Sequence, residues 1–263
     1  MPDNKLNSNK KSLSENTLNF YELIKELREK SSWDRIQTHK SIAQYSVEEV
    51  YELLDAIESE SDQEMEKELG DLLLHIFMHS NMAEERGAFN LTSVICKIDK
   101  RLRERLPDVF NNPETDEKTL MKKWELVKQN DSEKSALDGV PSHAPALLKA
   151  ERVQTKASRL GFDWEEKEDV WEKVFEEIGE LKLALENKDK ENTEEEFGDL
   201  LFSLVNVSRF EGIQSEMALS KSVAKFTKRF QFIEKEVKKL NKKINDFSLE
   251  ELDEFWNQAK LNL

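Results

Sequence analysis

Two short stretches of this chain set carboxylates at helical spacing. Glu48, Glu49 and Glu52 lie in VEEVYELLDAI, and Glu68 and Asp71 follow in ELGDLLLHIF. Residues three apart on a helix sit about 60° apart around the axis, so Glu49 and Glu52 share one face and Glu68 and Asp71 another. The segment ESESDQ between them reads as a turn. It makes the two helices antiparallel neighbours and lets the two acid pairs converge. Four oxygen donors with no His or Cys among them suit a hard divalent cation, Mg2+ or Mn2+. Four carboxylates carry more charge than one such ion neutralises, so more than one ion per site is expected once an anionic substrate binds. Both pairs border apolar stripes (Leu53 and Leu54; Leu69, Leu72 and Leu73). Like charges partly desolvated there are costly without a compensating cation.

The arrangement is written twice. Glu48, Glu49, Glu52, Glu68 and Asp71 recur at one constant offset as Glu176, Glu177, Glu180, Glu196 and Asp199, and Gly-Asp-Leu-Leu follows at Gly70 and again at Gly198. Looser echoes flank the repeat: KKWELVKQ resembles DEFWNQAK, placing Trp124 opposite Trp256, and RLRERL resembles KFTKRF. A single acidic motif in so charged a chain is ordinarily a solvated helix face. A doubled one beside apolar stripes points to a site. A carboxylate di-iron bundle would use Glu-x-x-His; His75 and His79 give way to Ser203 and Val207 in the repeat, and they read as structural or surface residues. Lys225, Lys228 and Arg229 lie on the helix after Asp199. They would hold polyphosphate oxygens that a metal leaves free, or they form an ordinary basic face. Trp256 would stack on a base or pack in the core.

The elements that must carry these residues are helices. TLNFYELIKELREK brings Leu18, Tyr21, Leu23, Ile24 and Leu27 near one stripe. Ser46 with Glu49 reads as a capping box opening the next helix, whose buried face is Val50, Leu53, Leu54 and Ile57. A third helix runs from about Gln63 to Glu85, with Gly87 ending it. A fourth covers Leu91 to Leu106 and stops before Pro107, and DEKTLMKKWELVKQ forms a fifth. The polar stretch NDSEKSALDGVPSHAPA is the linker candidate. Helical pattern resumes at Leu147, pauses at GFDWEE, and continues over Val170–Glu186, Glu194–Phe210, Glu216–Leu240 and Leu249–Leu261. Strand signals are nearly absent. The expectation is an all-α chain: a disordered tail over 1–16, a first module over 17–130, a linker over 131–146 and a second, duplicated module over 147–263.

Composition agrees with that reading. Of 263 residues, 37% are hydrophobic and 36% charged, which fits slender amphipathic helices with much wet surface. Seven Gly and five Pro leave few turns. A net charge of −15 argues against broad nucleic-acid or acidic-membrane binding. It leaves room for an anionic substrate at a metal site. Cys96 is the one cysteine, which fits a reducing cytoplasm. The first residues hold no secretory apolar core, and no apolar run approaches the ~20 residues of a membrane span.

These residues resemble the MazG family of all-α nucleoside triphosphate pyrophosphohydrolases. Its signature is Glu-Glu-x-x-Glu followed on the next helix by Glu-x-x-Asp. The ordered set SWDRIQTHKSI, LLDAI, ELGDLLLHIFMHSNMAEE, LDGVPSHAPALLKAERVQTKASRLGFDW, EEEFGDLLFSLVNVSRF and KFTKRFQFIE looks like its tandem-domain members. The resemblance implies two four-helix-bundle-like modules and a homodimer. It implies Mg2+-dependent hydrolysis of NTPs and dNTPs between the α and β phosphates, giving a monophosphate and pyrophosphate, with broad base specificity and a house-cleaning role. In the second module the implied metal ligands are Glu177, Glu180, Glu196 and Asp199. Nucleotide contacts fall on Lys173–Glu177, the Asn192–Glu195 stretch, Lys225, Lys228, Arg229 and Trp256. Glu176, or another nearby carboxylate, would take a proton from the attacking water or orient it, and Lys225 and Arg229 would stabilise departing pyrophosphate. The first module keeps Glu49, Glu52, Glu68 and Asp71, but Tyr45 stands where the second has Lys173. Arg101 and Arg105 stand for Lys225 and Arg229, Glu104 sits at a usually basic position, and Ser31-Ser32-Trp33 replaces Cys-Pro-Trp. The second module is therefore expected to carry catalysis, with the first binding metal, supporting the dimer or acting weakly. Two other readings stay open: a regulatory nucleotide-binding or helical interaction module with little turnover, and a hydrolase narrow for one pyrimidine dNTP.

Overall fold

The computed structural model describes residues 3–105, 109, 135 and 137–262, with side chains from Ser12 onward. The chain divides into two compact units, Met1–Asp131 and Ser132–Leu263. Among the described residues all regular structure is helical. None of these helices is long and apolar enough to cross a membrane.

The first unit holds α1 (Asp3–Lys30), α2 (Ser32–Ile36), α3 (Ala43–Glu58), α4 (Asp62–Glu85) and α5 (Leu91–Arg105). No Gly or Pro interrupts the chain between Asp3 and Lys30, and α1 begins at Asp3. The expected capping box at Ser46 is corrected, because α3 starts three residues earlier. Ile42, at its N-cap position, is 2% exposed, and burying that side chain brings the chain into helix before Ser46 is reached. The Ser46 hydroxyl then donates back to the Ile42 carbonyl at 3.4 Å. Ser61 is the side-chain cap in this region, accepting from the Glu64 N–H at 3.3 Å. Gly87 ends α4 with φ of 67°, as expected of a glycine just past a helix. The helix expected over DEKTLMKKWELVKQ, with Trp124, lies outside the described residues.

Ile24, Ile42, Phe77, Met78 and Met82 form the core of this unit, with Phe20 stacked at a tilt on Phe77, ring centroids 5.0 Å apart. Arg28 ties α1 to α4 and to the end of α2. Its Nε and Nη2 donate to Glu85 at 2.9 and 2.6 Å, and its Nη1 donates to the carbonyls of Asp34 and Gln37. The paired guanidinium holds the Glu85 carboxyl below its ordinary range. Arg28→Ala removes all four bonds at a side chain that is 10% exposed, so we expect a loss of about 2–3 kcal/mol in the first unit's stability, read by urea denaturation.

The second unit holds α6 (Ala146–Ser158), α7 (Lys167–Asn187), α8 (Lys190–Phe210), α9 (Ser215–Lys239), a 3-10 turn (Ile244–Asp246) and α10 (Leu249–Asn262). The chief pairing is α7 on α8, α6 packs against α8 and α9, and α9 pairs with α10. Lys188 takes the left-handed conformation, φ 56°, to stop α7, and Asp189 accepts from the Asn192 N–H at 3.2 Å to start α8. That cap moves the start of α8 ahead of the expected Glu194. The buried stripe of α7 is Val170, Val174 and Ala184, each at most 2% exposed.

Candidate active site

Each unit brings three carboxylates together. Glu177 lies one turn past Val174, so the α7 stripe carries it to the packed side, where it is 4% exposed. The α7–α8 turn aligns Glu196 and Asp199 opposite it. One carboxylate oxygen from each of Glu177, Glu196 and Asp199 lies within 4.8 Å of the others. In the first unit Glu49 of α3 meets Glu68 and Asp71 of α4 within the same distance. Glu52 and Glu180, the fourth acids expected in each set, have exposed side chains and stand outside these triads. Glu180 still adds its charge to Glu196.

The electrostatics match a site that wants a cation. Burial first, then the charges of Glu180, Glu177 and Asp199, pushes the Glu196 carboxyl up. Burial, then Asp71 and Glu52, does the same to Glu49. Glu68 is 4% exposed, and its Oε2 is buried without a hydrogen-bond partner. Oxygen-only donors, a buried orphan oxygen and crowded negative charge fit a hard divalent ion, so both acidic clusters can hold a metal.

A lysine edges each cluster, at a different place. Lys173, one turn before Glu177, has its Nζ 2.7 Å from Glu177 Oε1 and 3.0 Å from Glu176 Oε1, and these hydrogen bonds push its pKa up. In the first unit Tyr45 holds that repeat position. There Lys67 sits 2.7 Å from Glu68 and 4.0 Å from both Glu52 and Asp71. The repeat position of Lys67 in the second unit is Glu195, an exposed acid. Sequence reasoning missed Lys67; the lone basic residue just before Glu68 was its signal.

The basic residues expected to hold phosphate are not joined to the acids. Lys225 and Lys228 are exposed on α9, and among the described residues no ion pair links Lys225, Lys228 or Arg229 to the triad. Trp256 packs on Phe226, centroids 5.2 Å apart, and the Arg229 guanidinium lies 5.5 Å from the Trp256 ring centre. Its ring thereby supports Arg229. The histidines pack: His79 stacks on His39 with ring planes 1° apart, and burial, then the nearby His39, lowers its pKa. His75 lies 3.8 Å from Glu49, at the edge of the first cluster.

Beside the second triad opens a cavity of about 730 Å³, with Lys173, Glu177 and Asp199 on one side and mainly apolar walls elsewhere. Asp163 of the GFDW stretch pairs with Arg209, which also donates to Asn206 Oδ1 at 2.8 and 3.0 Å. Sequence reasoning quoted this stretch without seeing that it and α8 close a pocket.

Fold and site define the class: an all-α tandem protein with a carboxylate cage in each repeat. The profile of the MazG nucleotide pyrophosphohydrolase domain matches residues 37–110 and again 165–232. The chain is 43% identical over 231 residues to the nucleoside triphosphate pyrophosphohydrolase/pyrophosphatase MazG of Thermotoga maritima, covering 87% of this chain and 88% of that protein. It is 37% identical over 235 residues to the nucleoside triphosphate pyrophosphohydrolase of Escherichia coli K12, covering 87% and 89%. It is also 43% identical over 248 residues to the uncharacterized protein YabN of Bacillus subtilis, covering 92% of this chain and 51% of that one. The chain belongs to the MazG family.

Proposed function

We propose that the protein hydrolyses nucleoside and deoxynucleoside triphosphates at the α–β bond, releasing a monophosphate and pyrophosphate, in a house-cleaning role toward a broad range of bases. The observation that carries this reading is the Glu177–Glu196–Asp199 triad opening on a cavity, with Lys173 at its edge. Glu177, Glu196 and Asp199 would hold Mg2+ or Mn2+, more than one ion with substrate present, and Glu180 would join from the adjoining turn. When bound, the cation supplies Lewis acidity to the phosphate oxygens and acidifies the attacking water. Lys173 exchanges its carboxylate partners for phosphate oxygens, and as a lysine it is charged at neutral pH with either partner. Glu176, exposed beside it, takes the water's proton as the water oxygen attacks the α-phosphorus and the bond to the bridging α–β oxygen breaks. Lys225, Lys228 and Arg229, the last supported by Trp256, neutralise the departing pyrophosphate, and Glu195 and the first turn of α8 contact the nucleotide.

The first unit, with Tyr45 in place of Lys173, binds metal, supports the dimer or acts weakly. A homodimer fits the exposed apolar side chains of α7 and α8, among them Phe175, Leu183, Phe197 and Leu201, and a reducing cytoplasm fits the single cysteine, Cys96. Incubation with the eight common NTPs and dNTPs plus Mg2+ tests the reaction. Monophosphate with pyrophosphate is expected, whereas diphosphate with orthophosphate, or no product, sinks it.

A further inference from the structure

In the first unit His39, on the turn between α2 and α3, faces His79 of α4. Their ring planes are 1° apart and their Nδ1 atoms lie 2.8 Å apart. Arg86, at the end of α4, places its Nη2 2.9 Å from His39 Nε2. A guanidinium only donates, so His39 Nε2 is an acceptor and that ring's proton sits on Nδ1. This proton is donated to His79 Nδ1, and His79 carries its own proton on Nε2. The tautomers follow from the network, which runs from Arg86 through His39 to His79 only while both rings are neutral. A third proton shared by the two rings must fall against the Arg86 N–H or between the two Nδ1 atoms already bridged. Either way one bond of the chain is lost. The groups around the pair do not favour that proton. α4 adds His75, one turn before His79; the turn adds Lys40; α1 adds Arg28. Glu85 and Asp34 of α2 act on Arg28, Glu49 of α3 lies 3.8 Å from His75, and the first turn of α5, Leu91–Val94, carries no charge. Burial, then His39 and His75, lower the pKa of His79.

We propose that Arg86, His39 and His79 form an acid-sensitive clasp, which holds the lead-in of α3 on α4 while both imidazoles are neutral and frees it when one gains a proton. The turn that carries His39 is folded in itself: Thr38 N–H donates to Ser41 Oγ at 2.8 Å, and Ile42 N–H to the Thr38 carbonyl at 3.3 Å. The clasp ties this turn to α4. It stands beside a second tie, Arg28 to the Gln37 carbonyl at 3.0 Å, which does not titrate near neutral pH. Just past His39, Ile42 is buried at the start of α3, and α3 carries Glu49 of the first triad. Release therefore loosens the first carboxylate cluster and leaves the second alone, because at the repeat offset Lys167 and Val207 stand for His39 and His79. With the His79 pKa lowered in the fold, the clasp's contribution is whole above the ordinary histidine value, about 6.5. It is lost as pH falls through the lower value that His79 has in the folded protein.

The chain has four histidines, so NMR of the imidazole nitrogens can follow each of them. At about pH 7.5 His39 is expected to carry its proton on Nδ1 and His79 on Nε2. Amide exchange over residues 37–46 is read by mass spectrometry and corrected for its intrinsic pH dependence. Between about pH 7.5 and about pH 5 it is expected to quicken about tenfold, the scale of one lost hydrogen bond, while residues 190–210 stay within about twofold. The Glu49 carboxyl, pushed up by burial and then by its acidic neighbours, titrates toward the same range. The control is therefore the double variant His39→Asn/His79→Asn, whose amides can still bond to each other but do not titrate. In it the quickening over 37–46 is expected to fall below about threefold. His79→Asn alone repeats the comparison if circular dichroism shows the double variant to be unfolded. The assignment is overturned by a proton on His39 Nε2 at neutral pH, by exchange indifferent to the titration of His79, or by a response as large in the folded variant as in the wild type.

Discussion

Asp199→Ala lowers pyrophosphate release by a thousand-fold or more, on the order expected for losing a metal-holding group at a reacting phosphate, while Asp71→Ala keeps most of the activity. The two aspartates occupy the same place in the two repeats, and each contributes an oxygen to a triad of like size. What differs is their surroundings. Asp199 lines a cavity that Lys173 also lines, so a triphosphate finds carboxylates for its cations and an ammonium for its own charge together. In the first unit Tyr45 stands at the Lys173 position, one turn before Glu49, and the lysine of that cluster, Lys67, is paired to Glu68 at 2.7 Å from the other helix. Both variants should be folded by circular dichroism before rates are compared. Full turnover in Asp199→Ala with loss in Asp71→Ala would exchange the roles of the two units.

Chelation of divalent ions abolishes turnover, and added Mg2+ restores it. The triad is built so that its negative charges crowd: Glu177 is 4% exposed, and Glu196 is pushed up by burial and then by its acidic neighbours. Without a cation the phosphates of a nucleotide meet that charge directly and are repelled. The same ion should stabilise the native state, by about 2.7 kcal/mol at a hundred times its dissociation constant. Melting of the metal-free protein is therefore expected several degrees below that in saturating Mg2+, with no substrate present. Turnover that survives exhaustive chelation, or melting indifferent to Mg2+, would remove the cation from both roles.

Helix positions were legible in the sequence wherever an apolar stripe recurred, because period and burial are local consequences of one another. The α7 stripe of Val170, Val174 and Ala184 and the turn at Gly87 are of this kind. Ser46 was misread because capping propensity is a local term, and burial of Ile42, a tertiary term, outweighed it.

The doubled acids, their faces and the oxygen-only chemistry are determined by the sequence itself, since helical spacing alone sets which carboxylates share a face. Which acids actually meet is tertiary. Packing of α7 on α8 draws Glu177, Glu196 and Asp199 within 4.8 Å and leaves Glu180 outside, a distinction that equal spacing hides. The partner of Lys67 and the orphan oxygen of Gln154 are likewise tertiary facts. Each depends on a neighbour and an enclosure, and Gln154 meets Phe202 48 positions along the chain, beyond the reach of any periodicity.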